Sequence, residues 1–276
     1  MLEHFFSPNT IAVVGASREE GKVGHDLLKN LVKHGYKGKI YPVNPHADNI
    51  LGIKTYPAIK KISDKIDLAI IVVPAPYVSK AVDECIEKGI DSIIVISAGF
   101  KESGIDGAAR ERELYQKIKQ HSIRMLGPNC LGLIDTQSAL NASFAADMPA
   151  PGNIAFFSQS GALCTSILDW AVNECVGFSK FISMGNKTDI DEVALIKAIE
   201  NDANTKVVLV YLEGVKNGTE FINAAKEITK KKPMIIVKSG GTTAGAKAAS
   251  SHTGTLAGAE NAFDAAFKQS GILRAV

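Results

Sequence analysis

The stretch Ile11-Ala-Val-Val-Gly-Ala-Ser-Arg-Glu-Glu-Gly-Lys-Val-Gly24 decides the fold class. Its first four residues read as a buried strand, the next eight as a turn, and residues 23–33 carry a helical period. Strand, glycine-rich turn and helix in that order open a parallel α/β unit, because a parallel strand needs a crossover helix to rejoin its sheet. Glycines in such a turn let the backbone approach an anion, and the helix start offers unpaired N–H groups and a positive dipole end. Ser17 and Lys22 add a hydroxyl and a point charge. A glycine-rich turn with no ligand is the alternative reading. The dinucleotide fingerprint Gly-x-Gly-x-x-Gly is not met, since Ser17 stands at its second glycine. The second strand ends Tyr41-Pro-Val-Asn-Pro45, without the acid that would hold a ribose. The expectation is a phosphate site, and NAD is disfavoured.

Outward from this unit, the first half predicts strands at 11–14, 40–43, 68–73, 92–96 and 123–126 with helices between them. That is a complete doubly wound set. The strand series restarts after Asp147-Met-Pro-Ala-Pro-Gly152, with strands at 153–157, 178–183, 207–212 and 234–237. Helices are predicted at 161–173, 190–201, 219–229 and 259–269, and residues 272–273 look like the start of a last strand. The chain thus divides into a first domain, 1–130, and a second, 131–276, both α/β with mostly parallel sheets.

Bulk composition narrows the function classes. With 46% hydrophobic and 22% charged residues the chain is that of a soluble globular protein. A net charge of +2 gives no reason to expect nucleic acid or an anionic membrane as partner. No apolar run approaches a membrane span, and Met-Leu-Glu-His lacks the basic start of a signal peptide. Cys85, Cys130, Cys164 and Cys175 have no paired metal-ligand spacing, so no metal site is expected. They read as reduced thiols of a cytoplasmic protein, with Cys85, Cys164 and Cys175 in helical segments as packing residues.

The run Lys238-Ser-Gly-Gly-Thr-Thr-Ala-Gly-Ala-Lys-Ala-Ala-Ser-Ser-His-Thr-Gly-Thr-Leu-Ala-Gly258 holds one imidazole, His252, among small and polar residues. So little apolar bulk predicts a mobile or substrate-facing loop. On its own His252 reads more readily as a surface histidine in a flexible loop. Further candidates stand at strand ends. Glu213 follows the strand 207–212, and Ser158-Gln-Ser-Gly161 joins a strand to a helix, where Ser160 is either a simple N-cap or part of an anion site.

Val73-Pro-Ala-Pro76, Gly127-Pro-Asn-Cys130, Phe157-Ser-Gln-Ser-Gly161, Tyr211-Leu-Glu-Gly214 and Ser251-His-Thr-Gly254 occur in this order. Together they resemble the α subunit of succinyl-CoA synthetase and, more closely, the NDP-forming acyl-CoA synthetases of the ADP-forming acetate–CoA ligase type. The resemblance covers residues 8–273. It implies an N-terminal Rossmann-type domain that binds coenzyme A, followed by a flavodoxin-like ligase domain. By resemblance Ser17 and Lys22 would lie at the CoA phosphates, with Gly15 and Val23 beside them in the turn, and Asn44 near the nucleotide. Pro74 and Pro76 would follow the pantetheine arm, and Asn129 would stand near the thioester. His252 matches the histidine that becomes phosphorylated, Glu213 the glutamate that holds it, and Ser160 with Gly161 the helix start that holds phosphate. The chemistry is consistent: an attacking imidazole must be neutral, and a carboxylate on its other nitrogen fixes the tautomer. The other histidines, His4, His25, His34, His46 and His121, read as surface residues.

The reaction implied is acyl-CoA, phosphate and NDP to acid, CoA and NTP, through an acyl phosphate and a phosphohistidine. Nucleotide (ATP or ADP with Mg²⁺) would be met on an ATP-grasp subunit or domain, in a hetero-oligomer, because this sequence contains no such half. The expectation is a separate subunit or a truncated piece. Succinyl-CoA synthetases read Gly-His-Ala-Gly where this chain reads Ser-His-Thr-Gly, which places it with the acyl-CoA ligases and counts against succinate. The alternative is a non-catalytic CoA-binding regulatory module, against which the pairing of His252 with Glu213 argues.

Overall fold

The computed structural model describes residues 2–240 and 260–275. In the first sheet, β1 (Thr10–Val14), β2 (Lys39–Val43), β5 (Leu68–Ile71), β6 (Ser92–Val95) and β7 (Arg124–Leu126) run parallel in the order β2-β1-β5-β6-β7. Both faces are covered, so strand residues alternate between two cores rather than between core and water. Ile11 and Val13 face α2 (Val23–Lys33), whereas Ala12 and Val14 belong to the cluster containing α3 (Ala75–Lys88) and α4 (Ile105–Gln120). The chain starts with a short helix, α1 (Glu3–Phe6), and the first domain also carries a small hairpin, β3 (Asn49–Ile50) with β4 (Ile53–Lys54).

The second sheet repeats this plan. Its parallel strands are β10 (Pro151–Ser158), β11 (Phe178–Ser183), β12 (Val207–Leu212), β13 (Met234–Lys238) and β14 (Leu273–Ala275), in the order β14-β13-β12-β10-β11. Antiparallel β8 (Gly132–Asp135) and β9 (Leu140–Ser143) extend the β11 edge. One face is covered by α5 (Gly161–Asn173), over a cluster containing Phe156, Phe178 and Phe181. The other carries α6 (Glu192–Ile199), α7 (Gly218–Thr229) and α8 (Glu260–Gln269). Helix starts are fixed locally: Ser160, Asp191 and Asn217 accept the backbone N–H groups of Leu163, Ala194 and Glu220.

The predicted strands and helices are present with ends shifted by a few residues. The elements absent from the sequence reading are α1 and the β3–β4 and β8–β9 hairpins. Strand β9 is concealed because two of its four residues, Asn141 and Ser143, are polar yet fully buried, with the Ser143 hydroxyl donating to Asn141 Oδ1 at 2.6 Å. Cys175 lies beyond the end of α5 and is exposed, not helical packing as expected. His25 is also a correction: it is buried, with its ring 3.2 Å from the Ser17 carbonyl. No helix among the described residues is long and apolar enough to cross a membrane.

Apolar packing around α2 and main-chain hydrogen bonds after β11 both join the sheets. Helix α2 buries Leu27, Leu28 and Leu31 in the core that continues through Leu133, Leu140 and Ala142, each buried leucine contributing about 1.5–3 kcal/mol. From the same helix the buried Asn30 side chain donates to the carbonyls of Ser143 (2.9 Å) and Ala145 (2.7 Å). The second contact is main-chain. The N–H groups of Asn186, Thr188 and Ile190 donate to the carbonyls of Pro128 (2.9 Å), Gly127 (3.2 Å) and Met125 (3.1 Å). Gly185 permits this approach: its φ is +57°, and a Cβ there would stand 2.3 Å from the Pro128 carbonyl oxygen. Gly185→Ala is therefore expected to destabilise the protein by about 1–3 kcal/mol, as for other overpacked sites, lowering Tm by roughly 3–10 °C in calorimetry.

Candidate functional site

In open parallel sheets, ligands bind beyond the carboxyl ends of the strands where the strand order reverses. In the first sheet that point lies between β1 and β5, and in the second between β10 and β12. Both open into one cleft of about 1140 Å³. Val23, Val72, Val73, Pro74 and Asn129 line it from the first domain, and Gln159, Ser160, Gly161, Glu213 and Gly214 from the second.

The structure thus brings together Val23, Pro74, Asn129, Ser160, Gly161 and Glu213 of the residues singled out from sequence. Gly15, Ser17, Lys22, Asn44 and Pro76 lie outside its lining, and His252 lies outside the described residues. The glycine-rich turn is held by its own bonds. Ser17 Oγ accepts the Glu19 N–H at 3.0 Å, and Asn44 Nδ2 donates to the Ala16 carbonyl at 2.7 Å. Asn44 therefore ties the end of β2 to this turn. Helix α2 meets the turn closely, since a Cβ at Gly24 would stand 2.1 Å from the Gly15 carbonyl oxygen. Gly24 takes the helix–strand packing role that the last glycine has in dinucleotide folds. Lys22 precedes α2 with an exposed side chain, 3.8 Å from Glu19. Pro76 is exposed in the first turn of α3.

Asn129 adopts φ +56°, and its backbone N–H donates to the Ser97 carbonyl at 3.0 Å, so the 127–130 turn is anchored on the β6 end. Next to it Cys130 is buried, its thiol directed at the Val95 carbonyl. Burial pushes the Cys130 thiol up to about 12, and does the same for Cys85 and Cys164. A buried neutral thiol is no nucleophile at neutral pH.

On the ligase side the residue that organises the site is Gln159. Its Oε1 accepts the N–H groups of Glu213 and of Gly214 (3.0 Å), and its Nε2 donates to the Gly214 carbonyl at 3.3 Å. The side-chain amide thus spans the switch point and fixes Glu213 relative to the start of α5. The Glu213 carboxylate lies close enough to Tyr211 that, after burial, it is a cause of that phenol's raised pKa. Within the motif Phe157-Ser-Gln-Ser-Gly161 nothing sets Gln159 apart; only the fold puts it opposite Glu213.

A polar network crosses between the domains beneath the cleft. Asn186 Nδ2 donates to Glu102 Oε2 (2.6 Å) and Glu111 Oε2 (2.8 Å), and Thr188 Oγ1 donates to Glu111 Oε1 (2.6 Å). Burial pushes the Glu102 carboxyl up, but hydrogen bonds from Asn186 and from the Phe100 and Gly99 amides outweigh it and hold its pKa below the ordinary value. Lys101, Lys187 and Lys216 also line the cleft. The bonds that tie these groups together across the cleft span 84 residues from Asn186 to Glu102 and 29 from Lys216 to Lys187, which is why spacing did not reveal them.

Two domain families match this arrangement: a CoA binding domain over residues 9–136 and a succinyl-CoA ligase like flavodoxin domain over residues 151–276. The class is therefore a CoA-binding Rossmann-type unit joined to a flavodoxin-like ligase unit. The chain belongs to the superfamily of the NDP-forming acyl-CoA synthetase and succinyl-CoA synthetase α subunits. It is 48% identical over 274 residues to acetate–CoA ligase [ADP-forming] I of Archaeoglobus fulgidus, covering 99% of this chain and 40% of that protein. Identity is 45% over 278 residues with the α subunit of acetate–CoA ligase [ADP-forming] I of Pyrococcus furiosus, covering 99% and 60%. Among solved structures, the dinucleotide-forming acetyl-coenzyme A synthetase 1 of Ca. Korarchaeum cryptofilum, in complex with phosphate and ADP, superposes with a TM-score of 0.96 at 43% identity, covering 100% of this chain and 59% of that one. The chain thus spans about half the length of the relatives it matches.

Thiol chemistry gives a direct check of the cleft wall. In the native protein at pH 8, Ellman's reagent should titrate Cys175 alone of the four cysteines, since thiols raised to about 12 stay protonated. All four should react in guanidinium, and rapid native labelling of Cys130 would contradict the packing described.

Proposed function

We propose that this chain is the α-subunit-like part of an NDP-forming acyl-CoA synthetase. The observation that carries the reading is the single cleft shared by both switch points, with Asn129 on the CoA-binding side and Ser160, Gly161 and Glu213 on the ligase side. An acyl-CoA on the first domain would reach its thioester to the same space in which the start of α5 offers N–H groups and a dipole to phosphate. The first domain extends over residues 1–130 and the second over 131–276 in this reading.

A phosphate oxygen attacks the thioester carbonyl carbon, the C–S bond breaks, and CoA leaves with the electron pair, giving an acyl phosphate. An imidazole nitrogen of His252 then attacks phosphorus, and the acyl carboxylate leaves. Glu213 accepts the N–H of the other nitrogen and steadies the cation that forms. The phosphoryl group passes to a nucleoside diphosphate, held with Mg²⁺ by an ATP-grasp partner subunit or domain in a hetero-oligomer. Gly15, Ser17, Lys22, Val23, Asn44, Pro74 and Pro76 serve the CoA chain. The protein works in the cytoplasm, without nucleic acid or membrane. ADP-forming acetate ligases are the relatives that support this choice over a regulatory CoA-binding module.

Mixing the protein with acetyl-CoA and phosphate is expected to add one phosphoryl group in intact-mass analysis, stable in base and lost in acid. His252→Ala should remove it, and Glu213→Gln should slow its formation by about 10²-fold, on the scale of losing a supporting carboxylate. Saturable CoA binding without phosphohistidine, even with ATP and a matching ATP-grasp subunit, would leave the regulatory module.

A further inference from the structure

Three lysines line the cleft, and two of them are neutralised in place. Lys187, buried, pairs with Glu192 Oε2 at 2.8 Å, and Lys101 lies 3.7 Å from Glu111 Oε1. Lys216 differs. Its ammonium donates to the carbonyl oxygens of Lys187 and Thr188, and no carboxylate among the described residues forms an ion pair with it. An ammonium has three N–H donors, so one donor remains for another group. Burial, then the ammonium groups of Lys101 and Lys187, push its pKa down, and the carboxylates of Asp191 and Glu111, beyond ion-pair distance, offset this only in part. Its place in the cleft is fixed from two sides. Val215 separates it from Gly214, which Gln159 clamps, and Lys187 Nζ donates to the Gly214 carbonyl at 2.7 Å.

We propose that Lys216 binds a small oxyanion in this cleft, a phosphate oxygen or the carboxylate of the acid, through its remaining N–H and a charge that no carboxylate among the described residues pairs with directly. The proposal rests on the reading of the cleft as the acyl-CoA phosphorolysis site and adds to it a binding residue on the anion side. The start of α5 offers backbone donors but no full charge, whereas phosphate and acyl phosphate carry more than one negative charge. Lys216 supplies that charge from the loop that also carries Glu213. Its position three residues beyond Glu213 ties anion binding to the alignment of the histidine's supporting carboxylate.

The test is calorimetric titration of the 276-residue chain with inorganic phosphate and, separately, with acetate, for the unsubstituted protein, Lys216→Gln and Lys216→Arg. Coenzyme A is titrated into each as a control. Lys216→Gln is expected to weaken phosphate, acetate or both by about tenfold or more, as for loss of a charge-assisted hydrogen bond. Lys216→Arg is expected to stay within about threefold, because it keeps the charge. The anion that responds identifies which oxyanion the lysine holds. Equal effects of the two substitutions, or failure of the unsubstituted chain to bind either anion, overturn the proposal. Failure of the unsubstituted chain to bind coenzyme A overturns the wider reading of the cleft instead, and the anion titrations still decide Lys216.

Discussion

The site depends on the main-chain hydrogen bonds between the 127–130 turn and the segment that follows β11. Each is worth about 0.5–1.5 kcal/mol, but their consequence is geometric. They hold the carboxyl edge of one parallel sheet against the carboxyl edge of another, so that two switch points share one cleft. A Rossmann-type sheet alone presents an open crevice. Facing a second sheet, it presents a cleft lined from both domains, where the proposed thioester and oxyanion would meet.

Side chains reinforce that arrangement unequally. Glu111 is buried and spoken for on both oxygens, by Asn186 and Thr188, so it contributes chiefly by refusing to be left unpaired. Asn30 acts in the same way on the opposite side, bridging α2 to the end of β9 and the loop that follows it. Gln159 has a different task. By clamping Glu213 and Gly214 it makes the position of an ionisable side chain depend on the start of α5, so the proposed phosphate and histidine-supporting groups belong to one rigid unit.

Much of the fold was legible in the chain because β5, β6 and β11 are buried runs long enough to recognise, each followed by a turn and a helical period. The β8–β9 edge was not, since Asn141 and Ser143 are polar residues buried in the core, bonded to one another through the Asn141 Oδ1, and break the apolar pattern. Of the candidate site, the residues at strand ends were legible: Asn129, Ser160 and Glu213 all reach the cleft. Asn44 has in addition a structural contact that local sequence does not show: its side-chain amide donates to the Ala16 carbonyl, which depends on how β1 and β2 pair. Gln159, Asn186 and Lys216 were invisible for a related reason. Their partners lie tens of residues away, and nothing in a local motif distinguishes an amide that clamps a backbone from one that faces water.

The most direct measurement is a crystal structure of the chain with coenzyme A and phosphate bound together. The account predicts the thiol end of CoA in the shared cleft beside Asn129, with phosphate at the start of α5 next to Ser160 and Gly161. CoA bound with its thiol directed away from the second sheet, or phosphate settled in the separate cavity bordered by α1 and α6, would contradict it.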